Sequence, residues 1–342
     1  MTALTVPARP EEDAGLQPVP WRRMAWVTWR QHRGAMTGVV TLLGALALYL
    51  WHAARTLHHA YAAVTACRPA GSFVCANMTS DFIEKHDHTA TLIPALLQAV
   101  PAVIGAFVGA PVLARELETG TFRYAWTQGF GRWRWTLAKL VPLALAVTAA
   151  AAVFSLLFSW YYQPFIADGQ DGPLVAIVFD LRGVAFAAWT LTAFATGALA
   201  GLLLRRVVPA IVATLVAYAG LALAAGMFLR EHYLTPLLTS HQVPTSAWIV
   251  SQWWTKHGTF AFDGRPPSNL LLQLCPPSAI GPGKPSTGMI ARCLSPHGYA
   301  EWTRYQPASR FWPFQWIEGG WLIVLSVTLL GLTVWLVRRR AA

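Results

Sequence analysis

The chain has 342 residues, of which 55% are hydrophobic and only 12% charged, and its mean hydropathy is +0.42. That charge fraction is about half of what a water-soluble domain carries, so a soluble fold would leave too much apolar surface exposed. The formal charge of +11 does not mark a nucleic-acid partner, because the basic residues border long apolar runs and do not gather on one polar domain.

Residues 1–20 are polar, contain proline and lack apolar periodicity, the pattern of a flexible cytoplasmic tail. Residues 21–33, WRRMAWVTWRQHR, differ. On a helix Arg22, Arg23, Arg30 and Arg33 share one sector, with Trp26 among them, while Trp21, Met24, Ala25, Val27 and Trp29 cover most of the rest. This is the pattern of an interfacial amphipathic helix, aromatic side toward lipid and arginines toward phosphates, and equally of a basic flank that orients the span after it.

Six apolar runs then reach the roughly 20 helical residues needed to cross about 30 Å of hydrocarbon: Gly34–Ala54, Thr91–Leu113, Leu140–Tyr161, Gly183–Leu204, Val207–Phe228 and Gly320–Val337. The first is too long for a signal core and follows too many polar residues, so it should stay as an anchor. The predicted fold is an all-α membrane protein: spans one to five within 34–228, an extracytoplasmic loop at 229–319, and a last span with a basic tail at 320–342. The fourth and fifth spans are separated by little more than Arg205 and Arg206, which predicts a tight helical hairpin. Segments on the side of the termini hold 15 of the 26 Lys and Arg, which places both termini in the cytoplasm.

All four cysteines, Cys67, Cys75, Cys275 and Cys293, fall on the expected outside, as disulfides in an oxidising compartment would. Of three possible connectivities, proximity favours Cys67–Cys75 with Cys275–Cys293. The long outer loop is rich in Pro and Trp. Val243–Trp254 is read as a short amphipathic helix begun by Pro244, and the loop as lying along the outer leaflet rather than standing off as a free domain.

Chemistry-bearing patterns are few. Gly281–Ser286 departs from a phosphate-binding loop, with Ser278 where a Gly is needed and Pro285 after Lys284, so the chain carries no recognisable ATPase of its own. His58, His59, His86 and His88 with Asp81, Glu84 and Asp87 occupy the first outer loop, but exposed histidines at a membrane surface ordinarily bind nothing, and no metal site or catalytic residue is assigned. The spans contain Gln98, Thr148, Ser155, Ser159, Thr190, Thr192 and Thr196, with no ionisable residue near mid-bilayer. Transporters driven by protons or sodium commonly keep such a relay there, so its absence favours an external energy source.

The connection between spans two and three, ARELETGTFRYAWTQGFGRWRWTLAKL, is the most informative segment. A passive turn needs about two to eight residues, and this one is several times longer, mixing charges, glycines and aromatics. Arg115-Glu116, Gly120-Thr121 and the run from Arg132 to Lys139 resemble the stretch after the second span of permeases of ABC-type exporters of the type-2 class, in their actinobacterial form. One departure is Ala114, where that family usually has a first Glu. The basic aromatic segment before the first span, the six-span layout and the large loop before the sixth extend the resemblance over most of the chain.

The resemblance implies that segment 114–136 is a coupling segment seated in a cleft of a separate ATPase. Arg115, Glu116, Glu118, Gly120 and Thr121 would form its turn, and Phe122, Tyr124 and Trp126 its apolar contact area. It further implies a bacterial plasma-membrane location, a second permease copy as homodimer or paralogue, ATP and Mg used only by the partner ATPase with no cofactor held by this chain, and export of a hydrophobic or amphiphilic substrate. Those contact roles compete with a plainer one, in which the acids pair locally at a solvated helix end and the glycines only close a turn. A membrane-bound enzyme and a non-transporting sensor or anchor are the alternative functions.

Overall fold

The computed structural model describes residues 21–69, 72–120, 132–167, 172–275 and 287–340; the side chains of 21–29, 31–33, 35, 36, 287 and 340 lie outside the description. Six helical segments are long and apolar enough to cross a membrane: Thr37–Ala66, Phe73–Thr119, Arg132–Ala167, Gly183–Leu204, Val207–His232 and Ala308–Arg339. Helices are the expected solution, because each backbone group in hydrocarbon must be satisfied within its own segment. Exposed side chains such as Leu145, Val153, Leu156, Val208, Val216 and Val324 are the lipid-facing apolar surface that such helices require.

The helices outrun the apolar runs that announce them. The first is continuous from Trp21 to Ala66, so residues 21–33 are helical and joined to the first span without a break. The second begins at Phe73, so the first outer loop expected from sequence is largely helix. Pro94 lies inside it, and a π-helical turn at Gly105–Gly109 precedes its last part, Ala110–Thr119. Local departures of this kind are how a helix absorbs proline and close neighbours.

The second and fourth spans cross closely. A Cβ at Gly197 would overlap the carbonyl oxygen of Gly105, and one at Gly201 that of Ala110, so glycine lets the two backbones meet. The fourth span also packs on the sixth, where polar contacts stitch the pair. Thr192 Oγ1 and Ser326 Oγ are 2.9 Å apart, and Trp189 Nε1 donates to Glu318 Oε1 at 2.9 Å. Gln315 Oε1 accepts from the Ala185 backbone N–H at 2.8 Å, which caps the start of the fourth span from another helix. Its end is closed by Arg205 in the left-handed region, φ 54, and the fifth span starts at Val207, giving the tight hairpin expected from Arg205-Arg206.

The loop before the sixth span folds differently from the sequence reading. It contains strands β1 (Leu237–Thr239), β2 (Trp248–Lys256), β3 (Thr259–Asp263) and β4 (Tyr299–Gln306), arranged as one antiparallel sheet in the order β1-β4-β2-β3. The amphipathic helix expected over Val243–Trp254 is therefore corrected: most of that segment is the first part of β2. Its aromatic and β-branched residues suit a pleated surface. His257 and Gly258, both at positive φ, form the two-residue turn that folds β3 back onto it. Helices Ser268–Leu274 and Thr287–Leu294 accompany the sheet, and Trp254, Cys275, Ile290, Leu294 and Tyr299 form a small separate core. Both disulfides pair as proximity suggested, Cys67 with Cys75 and Cys275 with Cys293.

Candidate functional site

One end of the bundle gathers the end of the second span, the Arg205-Arg206 turn and the end of the sixth span. The second span finishes at Gly120, which adopts φ 72 and terminates the helix in the left-handed conformation. Glycine takes that conformation without the penalty of a Cβ. Among the described residues a Cβ built there meets nothing within 4 Å.

Two acids in the last turns hold this helix end in place. Glu116 forms an ion pair with Lys139 of the third span, with side chains 14% and 4% exposed. Lys139 Nζ also lies 4.4 Å from the centroid of the Trp135 ring. A pair this buried costs desolvation and is maintained only when both partners are present. Glu118 Oε2 accepts from the Val207 backbone N–H at 3.0 Å. The fifth span has no side-chain cap from Arg206, so Glu118 supplies both an acceptor and a negative charge at that helix N-terminus. The second span's exit is thus tied to the third span through one acid and to the fifth through the other.

Ala114 explains its own departure from the family pattern. It is fully buried against Ala110 and Ala210, where the second, fourth and fifth spans converge and a Glu side chain has no room. Arg115 and Glu118 are exposed. Thr121, Phe122, Tyr124 and Trp126 lie outside the described residues, so the contact area expected of them has no structural account. Of the interfacial segment, Arg30 is exposed. The side chains of Trp21, Arg22, Arg23, Trp26, Trp29 and Arg33 lie outside the description.

At the opposite end is a charged cluster that sequence reasoning missed. Arg230 Nε donates to Glu318 Oε2 at 3.0 Å and Nη2 to Glu318 Oε1 at 2.8 Å. Nη2 also donates to Asp180 Oδ1. The Arg230 and Glu318 side chains are 1% and 0% exposed, and that of Asp180 22%. The guanidinium carbon stands 4.6 Å from the Phe179 ring centroid. One guanidinium serves two carboxylates, and the three residues come from three separate segments. Glu318 takes three donors, and burial and the Glu318 carboxylate push the Asp180 carboxyl up to about 7 against the pull of Arg230. The available signal was an Arg and a Glu flanking spans five and six within apolar surroundings, which loop assignment obscured.

The histidines of the first outer loop are on helices. His58 Nε2 donates to the Trp160 carbonyl at 2.9 Å, and His86 Nδ1 to that of Phe82 at 2.8 Å. Among the described residues no three or more His, Cys, Asp or Glu side chains gather as metal ligands would.

Six apolar helices, a glycine-mediated crossing and an acid-anchored exit from the second span define a multi-pass membrane protein. The chain belongs to the family described as ABC-2 membrane transporter related, whose model matches residues 39–230, more than half of its length. Neither a curated protein nor a solved structure matches it.

Proposed function

We propose that this chain is the membrane-spanning subunit of an ATP-driven exporter in a bacterial plasma membrane, coupled to a separate ATPase through the segment that follows Gly120. The supporting observation is the anchorage of the second span's exit. Glu116 and Glu118 bind that helix end to the third and fifth spans, so displacement of the segment beyond Gly120 moves three spans together. A cytoplasmic partner that closes on ATP could use such a lever, whereas a passive turn needs none of it. ATP and Mg act on the partner, and this chain binds neither. A second permease copy, identical or paralogous, completes the pathway. The cargo is a hydrophobic or amphiphilic molecule moved outward.

The test is affinity purification in mild detergent from the native host, with mass spectrometry of what accompanies the chain. A soluble ATPase with a phosphate-binding loop is expected, and Gly120→Arg is expected to lose it while inserting normally, because Arg is strained at φ 72 and projects into the docking space. Normal recovery of the ATPase by that variant would remove the coupling role. Recovery of the chain alone, under conditions that hold a known exporter together, would favour the sensor or enzyme.

A further inference from the structure

We propose that the open face of the sheet before the sixth span rests on the headgroup layer of the membrane the chain crosses, and that it prefers anionic lipid. Directly opposed residues of antiparallel strands project from the same face. Trp302 opposes Trp253, Arg304 opposes Leu238, and Phe260 opposes Thr255, the neighbour of Ala300 on β4. All belong to the face opposite the small core of Trp254 and Tyr299. Phe260 is 65% exposed and Leu238 54%. Arg304 is exposed, with its guanidinium carbon 5.4 Å from the Trp253 ring centroid. Indole rings, an exposed apolar tip and an arginine are the side chains that settle at headgroup level.

The direction in which this face looks follows from its inner end. Residues 302, 304 and 306 alternate along β4 and so share the face. Gln306 is buried and donates to the Leu234 carbonyl at 2.7 Å. Trp248, its cross-strand partner, meets Phe314 of the sixth span edge-on at 6.3 Å between ring centroids. The face thus begins on the end of the bundle and continues outward past it, with the two small helices and their disulfide on its other side. Its roots are short. The fifth span ends at His232 and β1 starts at Leu237, while β4 ends at Gln306 and the sixth span starts at Ala308. Four linking residues reach at most about 14 Å, which keeps the sheet next to lipid.

Charge selects the lipid. Residues 229–319 hold seven Lys and Arg against four Asp and Glu. Arg230 and Glu318 satisfy each other inside, leaving six against three. Anionic headgroups attract such a segment over a Debye length. The inference is independent of the exporter reading, since it needs only the six spans and the sheet.

The experiment uses the full-length chain in nanodiscs of equal parts phosphatidylglycerol and phosphatidylcholine, with the photoreactive substitution Phe260→p-benzoylphenylalanine and mass analysis of the adducts. The same probe at Leu238 serves if the first variant does not accumulate, and at Asn269, on a helix of the opposite layer, as reference. Lipid adducts are expected from positions 260 and 238 and not from 269. Phosphatidylglycerol should be favoured about fivefold, the ratio one basic side chain gives at an anionic surface, and Arg304→Gln should bring the two lipids toward parity. Adducts to a second copy of the chain would overturn the proposal and make this face an interface between copies. Equal yields from 260 and 269, or no preference between the lipids, would also overturn it.

Discussion

Glu116 and Lys139 are separated by 23 residues and a long connection, yet meet inside the bundle with little access to water. Removing one partner leaves the other charge buried alone, at a cost of about 3–5 kcal/mol, while replacing both with apolar residues of similar volume is close to neutral. Lys139→Met is therefore expected to lower the thermal midpoint in detergent sharply, and the double variant with Glu116→Leu to recover most of the loss. A double variant no more stable than the single one would mean that the pair does not stabilise the bundle. Sequence alone assigned Glu116 to a partner's surface or to a local pair, because long-range pairing leaves no periodic trace. The disulfides were legible for the opposite reason: cysteines eight and 18 residues apart make proximity informative.

Among elements, what was legible depended on which solvent shaped the segment. The six spans were found because hydrocarbon demands about 20 apolar residues in each. Their ends were not, because Arg55–Ala66 and Phe73–Ala90 continue as helix beyond the apolar run, where hydropathy says nothing about backbone. The strand β2 was misread because proline, tryptophans and alternating polar residues fit a short amphipathic helix and a strand equally well over so few residues. Only the His257-Gly258 turn and the pairing with Thr259–Asp263 break the tie. The crossing of the second and fourth spans was not legible, because small residues recur along several spans and do not name the helix they meet. Gly201→Leu tests that crossing. Its side chain would collide with the Ala110 backbone, and overpacking of this kind typically costs about 1–3 kcal/mol, so a lower yield of folded protein on size-exclusion chromatography is expected. Gly220→Leu, at a position with nothing within 4 Å among the described residues, should leave the yield unchanged. Equal behaviour of the two variants would refute the crossing.

At the scale of the molecule, the two ends of the bundle are closed by different chemistry. At one, single acids pin the exit of a helix; at the other, Asp180, Arg230 and Glu318 join the segment before the fourth span, the end of the fifth and the start of the sixth around one guanidinium. The cluster holds one negative charge more than it neutralises, and Asp180 is the member placed to take up a proton. Burial and the neighbouring Glu318 move its carboxyl from an ordinary 3.8 up to about 7. A carboxyl whose folded pKa lies above its unfolded value binds more protons when folded, so folding is favoured at low pH and that contribution is lost as pH rises. The window runs from about pH 4 to about pH 7, set by those two values. The thermal midpoint of the detergent-solubilised chain, minus that of Asp180→Asn at each pH, should therefore decline across this window and be flat above it. A difference that rises with pH would mean that Arg230 governs Asp180 more strongly than burial does. The cluster would then be a simple ion pair, whose stabilisation is lost on acidification.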